Sequence, residues 1–226
     1  MKKETYSLLN NYMHLCMEDS AHDREHVYRV LYNALQIARE EENVDLDVLV
    51  AACLLHDIGR KEQFEDPAVC HAAVGSEKAY RFLREQGFSE EFANAVRHCI
   101  LTHRFRRAQP PQSLEAKILF DADKLDAVGA LGVARTLMYK GDVAEPLYTL
   151  LPDGSICDGT QNEEASFFRE YHFKLKKLYS NFCTAAGAAM ARERRIAAQS
   201  FYESLYREVT AGRTAGQTLL QQWLDE

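Results

Sequence analysis

The chain has 226 residues, 46% hydrophobic and 27% charged, enough to bury a core without disulfides or structural zinc. Its formal charge of -7 argues against any general attraction to nucleic acid, although a local basic pocket could hold phosphate. The longest apolar run, residues 48–55, is too short to cross a bilayer, and no signal-peptide pattern follows Met1-Lys2-Lys3-Glu4, so no membrane partner is expected.

Helical spacing dominates the chain. Val27, Val30, Leu31, Ala34, Ile37 and Ala38 form one apolar stripe. Residues 46–58 are almost continuously apolar, and their Ala and Leu content favours a buried helix. Val69, Ala72, Ala73, Ser76, Ala79, Tyr80 and Leu83 make the next stripe, ended by Gly87. Ser89 reads as an N-cap for a helix carrying Phe92, Ala95, Val96, Cys99 and Ile100. Pro110-Pro111 breaks the chain, and one long helix is expected over about 114–139. Residues 140–162 carry loop chemistry, with a small hairpin at Asp153-Gly154. From 163 to 209 the pattern is helical again, in two segments meeting near 184–187. The expectation is an all-α fold of seven to nine helices, one domain over 1–226. Cys16, Cys53, Cys70, Cys99, Cys157 and Cys183 form no CxxC pair and read as reduced cytosolic thiols.

Several polar residues stand out against this apolar background. His56 and Asp57 end the most apolar helix, where an imidazole beside a carboxylate is costly unless paired or metal-bound; capping the helix is the plainer role. His26 adjoins the Val27/Val30 stripe as either a ligand or a packed core histidine. His22, four residues earlier on the same face, is a second ligand, a supporting partner or a cap. Asp123 would face Ala116, Leu119, Phe120, Ala127 and Ala130, a buried carboxylate of the kind metals relieve. Asp121 would face Leu114, Ile118, Leu125 and Val128, so periodicity does not choose between the two.

The segments His22-Asp23-Arg24-Glu25-His26-Val27-Tyr28-Arg29-Val30, Leu54-Leu55-His56-Asp57-Ile58-Gly59-Arg60 and Asp121-Ala122-Asp123-Lys124-Leu125-Asp126 resemble the HD superfamily of metal-dependent phosphohydrolases. The resemblance covers a core of about 18–140. The stretch 167–209 resembles the C-terminal part of an uncharacterised bacterial subgroup. It implies an HD-domain helical bundle with additional C-terminal helices, and His26, His56, Asp57 and Asp123 as metal ligands. His71, His98 and His103 fall where some relatives hold a second metal; around a single metal they would be supporting or substrate contacts. The divalent ion implied is Mn, Mg, Fe, Co, Ni or Zn.

The activity implied is cytoplasmic hydrolysis of a phosphate ester, in a nucleotide or another small phosphorylated metabolite, by metal-activated water. Asp57 has a place in this chemistry, His71 or His103 could shuttle protons, and Arg60, Lys61, Lys124 and Arg104 are candidates to meet phosphoryl charge. Two other classes remain open: a di-iron HD-fold oxygenase, and a non-catalytic metal-binding sensor. The helices bearing Arg192, Arg194 and Arg195 offer either a homodimer surface or a solvated face.

Overall fold

In a computed structural model, residues 1–17, 24–104 and 110–226 are described. Ten α-helices and one short 3-10 turn are found among them, and the only β-pairing there is an isolated bridge. The all-α expectation holds. No described helix is long and apolar enough to cross a membrane. All six thiols are free. The chain divides into two compact units.

The first unit, residues 1–126 with 182–188, carries helices α1 (Lys3–Cys16), α2 (Arg24–Ala38), α3 (Leu46–Leu55), α4 (Arg60–Glu65), α5 (His71–Glu85), α6 (Glu90–Thr102) and α7 (Leu114–Leu125). Its axis is α3, the apolar run of the sequence, in which Leu49, Ala51, Ala52, Cys53, Leu54 and Leu55 are all fully buried. Beyond its exposed first turn at Leu46 and Asp47, α3 is apolar on nearly every side and must be surrounded. Helices α1, α2, α5, α6 and α7 all pack on it. Side-chain caps fix where three helices begin. Asp45 accepts from the amides of Asp47 and Val48 at α3, Ser89 from Phe92 at α6, and Ser113 from Ala116 at α7.

The second unit, residues 127–181 with 189–226, carries α8 (Gly129–Asp142), α9 (Phe167–Phe173), the 3-10 turn Leu175–Lys177 and most of α10 (Ala185–Leu224). Its core is aromatic. Phe167 and Phe168 are fully buried, and Tyr171 stacks on Tyr202 with centroids 4.2 Å apart. The expected hairpin is present as a bridge between Leu150 and Ile156, turned at Gly154 with φ +79°.

Three boundaries differ from expectation. The segment expected to be helical from 163 to about 184 is only α9 and the 3-10 turn. The single helix expected over 114–139 is two, because the chain breaks after Asp126 and restarts at Gly129 with φ +70°. A Cβ on Gly129 would also lie 2.8 Å from Cβ of Arg194. The last helix, expected to finish near 209, continues to Leu224.

Candidate metal centre

The polar residues gathered in the first unit come from the ends of several helices. His26 lies in the first turn of α2, and His56 and Asp57 follow α3 directly. His71 opens α5, His103 closes α6, and Asp123 lies in the last turn of α7. Close backbone contact makes this convergence possible. A Cβ on Gly59 would stand 2.3 Å from the His71 carbonyl oxygen and 2.7 Å from the Gly75 amide nitrogen. Glycine therefore lets the start of α5 press against the turn after Asp57.

Two triads result. His26, His56 and Asp123 bring ligand atoms within 4.8 Å of one another, and so do Asp57, His71 and His103. Asp57 lies between them. Its Oδ2 is 3.5 Å from His26 Nε2 and 3.7 Å from His56 Nε2. Its Oδ1 is 3.3 Å from His71 Nε2 and 3.8 Å from His103 Nε2.

Each of the four imidazoles has an acceptor on its outer nitrogen. His26 Nδ1 is 2.7 Å from Asp126 Oδ2, and His56 Nδ1 is 2.7 Å from the Cys53 carbonyl. His71 Nδ1 is 2.6 Å from Gln63 Oε1, and His103 Nδ1 is 2.6 Å from the Ile100 carbonyl. Those acceptors assign the ring proton to Nδ1 and turn the Nε2 lone pairs inward. The Nε2 atoms of His26 and His56 are then 3.4 Å apart, and those of His71 and His103 3.3 Å apart. Between the neutral rings of His71 and His103, facing lone pairs at that range have no proton to share, and a cation relieves the conflict; in the first pair, the extra proton of His26 occupies the same place. The mixed imidazole and carboxylate donors suit a divalent transition metal, and both triads have the residues to hold one.

Electrostatics agree with a site built for positive charge. Burial opposes ionisation of Asp57, yet His56, Arg60 and the neighbouring imidazoles hold its carboxyl well below the usual range. Burial also opposes ionisation of Asp123, but the His26 hydrogen bond and charge lower its pKa. Burial works against a proton on His26, and the carboxylates of Asp123 and Asp126 outweigh it, pushing the imidazole up to about 9. With no cation in place, the carboxylates retain a proton there. Burial pushes His71 down to about 2 and His103 to about 4, with Arg60 and Arg104 adding to the first and His56 to the second. These rings stay neutral and available as donors.

The two aspartates that periodicity left unresolved have different surroundings. Asp121 is fully buried and accepts from the Cys183 and Thr184 amides at 2.8 and 2.7 Å and from the Thr184 hydroxyl at 2.7 Å. Asp123 was expected inside the bundle, but its side chain keeps 24% exposure, with Oδ1 3.2 Å from His26 Nε2. The helix end leaves it at the rim of the cluster, facing the histidines.

The remaining candidates are dispersed. Arg60 Nε donates to Asp57 Oδ1 at 2.9 Å. Arg104 Nη1 lies 3.1 Å from His71 Nδ1. The Lys124 ammonium sits 4.7 Å from the Phe182 ring centroid and 5.5 Å from that of Phe120. His98 is half-buried and belongs to neither triad, and its carbonyl accepts from the Thr102 hydroxyl. His22 lies outside the described residues. Sequence reasoning missed Asp126 and Gln63. Asp126 is fully buried between His26 and Arg29, whose Nε donates to Oδ1 at 2.7 Å. Its only signal was a second acid three residues after Asp123, one helical turn on.

A family model for the HD domain matches residues 24–128, the span that contains both triads and Asp126. YpgQ of Bacillus subtilis is 31% identical over 196 residues, covering 85% of this chain and 86% of its own. The crystal structure of an HD-superfamily hydrolase from Bacillus thuringiensis is 27% identical, with a TM-score of 0.74 over 93% of this chain and all of its own. The structure of YpgQ in complex with ADP aligns at 25% identity and a TM-score of 0.70, over 91% of this chain and 95% of that one. Helical architecture, the ordered His, His-Asp and Asp positions and these likenesses agree: the chain belongs to the HD superfamily, alongside hydrolases.

Proposed function

We propose that this protein is a metal-dependent phosphohydrolase that binds two divalent ions and acts on a nucleotide or a similar small phosphorylated metabolite. The observation that carries the reading is Asp57, with one carboxylate oxygen turned to each of two histidine-bearing triads. His26, His56 and Asp123 would hold one ion, His71 and His103 the other, and Asp57 both. Such ions lower the pKa of bound water and polarise phosphoryl oxygens.

The chain's own residues do the remaining work. Asp126, Cys53, Gln63 and Ile100 fix the imidazole tautomers from outside, which is what a metal-ligating histidine needs. Arg60 holds the Asp57 carboxylate in place. Arg104, beside His71, supplies positive charge for phosphoryl oxygens, whereas the Lys124 ammonium lies over the Phe120 and Phe182 rings. In this reading His71 and His103 are ligands, not proton carriers. The net charge of -7 favours a small nucleotide over a polynucleotide, and the ADP complex of YpgQ supports a nucleotide.

The test strips the protein with a chelator and reloads it separately with Mn, Mg, Fe, Co, Ni and Zn. Metal content is read by mass spectrometry, phosphate and pyrophosphate release over a nucleotide and phosphomonoester panel, and oxygen uptake by electrode. Two ions per chain, falling to one in His71→Ala, with phosphate release restored by reloading, is the expected result. Oxygen uptake with iron and no phosphate release would assign an oxygenase instead. Metal binding without turnover on any substrate would favour a sensor.

A further inference from the structure

The two triads have neighbours of opposite charge. Around His26, His56 and Asp123 the neighbours are acidic. Asp57 turns Oδ2 toward His26 Nε2 at 3.5 Å, and Asp126 stands behind His26 with Oδ2 2.7 Å from Nδ1. Arg29 donates to Asp126 at 2.7 Å and offsets one of the three carboxylates. Around His71 and His103 the neighbours are basic. Arg60 Nε donates to Asp57 Oδ1 at 2.9 Å, and Oδ1 is the oxygen that faces His71 Nε2 at 3.3 Å and His103 Nε2 at 3.8 Å. Arg104 Nη1 lies 3.1 Å from His71 Nδ1, which already gives its proton to Gln63 Oε1 at 2.6 Å, so the ring offers Arg104 no acceptor. Asp57 is the only carboxylate of this triad. An ion held here would share Oδ1 with the Arg60 guanidinium and face Arg104 across the His71 ring.

We propose, resting on the two-ion hydrolase reading above, that Arg60 and Arg104 keep the affinity of the His71/His103 triad for a divalent ion low until an oxyanion binds, so that the second ion is taken up together with the phosphoryl group of the substrate. Like charges account for the low affinity. One unit charge facing a dication without direct contact weakens its binding by about tenfold even in a well-solvated pocket, so two arginines together are worth about 100-fold. Phosphate chemistry accounts for the release. A phosphoryl group has oxygens enough to accept from guanidinium donors and bind a divalent ion at the same time, which turns two repelling neighbours into parts of one anion site. The His26, His56 and Asp123 triad has no such need. Its carboxylates already oppose the charge of an ion, and it fills first.

The experiment is equilibrium dialysis of the metal-stripped full chain against Mn, with and without inorganic phosphate, beside a protein-free chamber. Bound metal is counted by mass spectrometry, and a thermal melt of each variant checks that it is folded. Without phosphate, one ion should bind tightly and a second about 100-fold more weakly, both sites filling at saturating metal. Phosphate should tighten the second ion by about tenfold or more and leave the first nearly unchanged. His71→Ala should remove the weak ion alone. Arg104→Gln should tighten the weak ion by about tenfold in the absence of phosphate and shrink its response to phosphate, whereas Arg104→Lys, which keeps the charge, should keep the difference between the sites. Two ions of equal affinity without phosphate, or a second ion indifferent to phosphate and to Arg104→Gln, overturn this inference and leave the hydrolase reading standing. A folded chain that binds no ion at either triad overturns the metal-dependent reading itself.

Discussion

Asp121 and Asp123 lie two residues apart on α7 and should fail in different ways when each is replaced by alanine. Asp121 accepts three hydrogen bonds from Cys183 and Thr184 and touches no histidine among its recorded partners. Its removal strands the Thr184 amide and hydroxyl in a buried place and the Cys183 amide in a partly buried one. Bonds to a charged acceptor contribute about 1.5–3 kcal/mol singly, but they share one carboxylate and do not add. Burial also raises the pKa of Asp121 despite those donors, so part of their stabilisation is already spent on desolvation. A net loss of about 2–4 kcal/mol follows, and for a chain of this size that lowers the melting temperature by roughly 4–16 °C. Metal content should persist in the folded fraction. Asp123→Ala removes a partly exposed carboxylate with a much smaller effect on melting, and should lose most metal from its triad and nearly all hydrolase activity. Thermal melts of the metal-free proteins beside metal analysis after dialysis separate the two. If folded Asp121→Ala loses its metal with an unchanged melt while Asp123→Ala keeps full occupancy, the register of α7 relative to the site is wrong.

Asp126→Ala, which frees the outer nitrogen of His26, should weaken metal binding by about 10–100-fold without abolishing it, as measured by competition with a chromogenic chelator. Gly59→Ala places a methyl against the His71 carbonyl and the Gly75 amide. It should cost about 1–3 kcal/mol or more in a denaturant melt, and reduce the second triad's metal more than the first's. Ser113→Ala removes the cap of α7 and should lower stability by about 1 kcal/mol in the same melt while leaving metal stoichiometry intact. Phe168→Ala, in the core of the second unit, should destabilise by about 3–5 kcal/mol, and the loss should appear in hydrogen exchange of that unit.

The helices were legible in the sequence because their signals are local. An almost wholly apolar α3, the stripe of α2, the Ser89 cap and the turn at Gly154 each follow from residues within one or two turns of one another. The order His, His-Asp, Asp was legible for the same reason, as short motifs at helix ends. What sequence left open was decided by contacts between distant segments. Asp121 and Asp123 both face apolar neighbours along α7, and only the arrival of Cys183 and Thr184 gives Asp121 its partners, leaving Asp123 to His26. The break after Asp126 was hidden in a helical pattern, because its carboxylate is engaged by His26 and Arg29 from a helix about a hundred residues away. The pairing of His71 with His103 across Asp57, and the exclusion of His98 from both triads, likewise depend on how α5 and α6 close on the turn at Gly59. Periodicity says which way a side chain leaves its own helix; what it meets there is set by packing of the others.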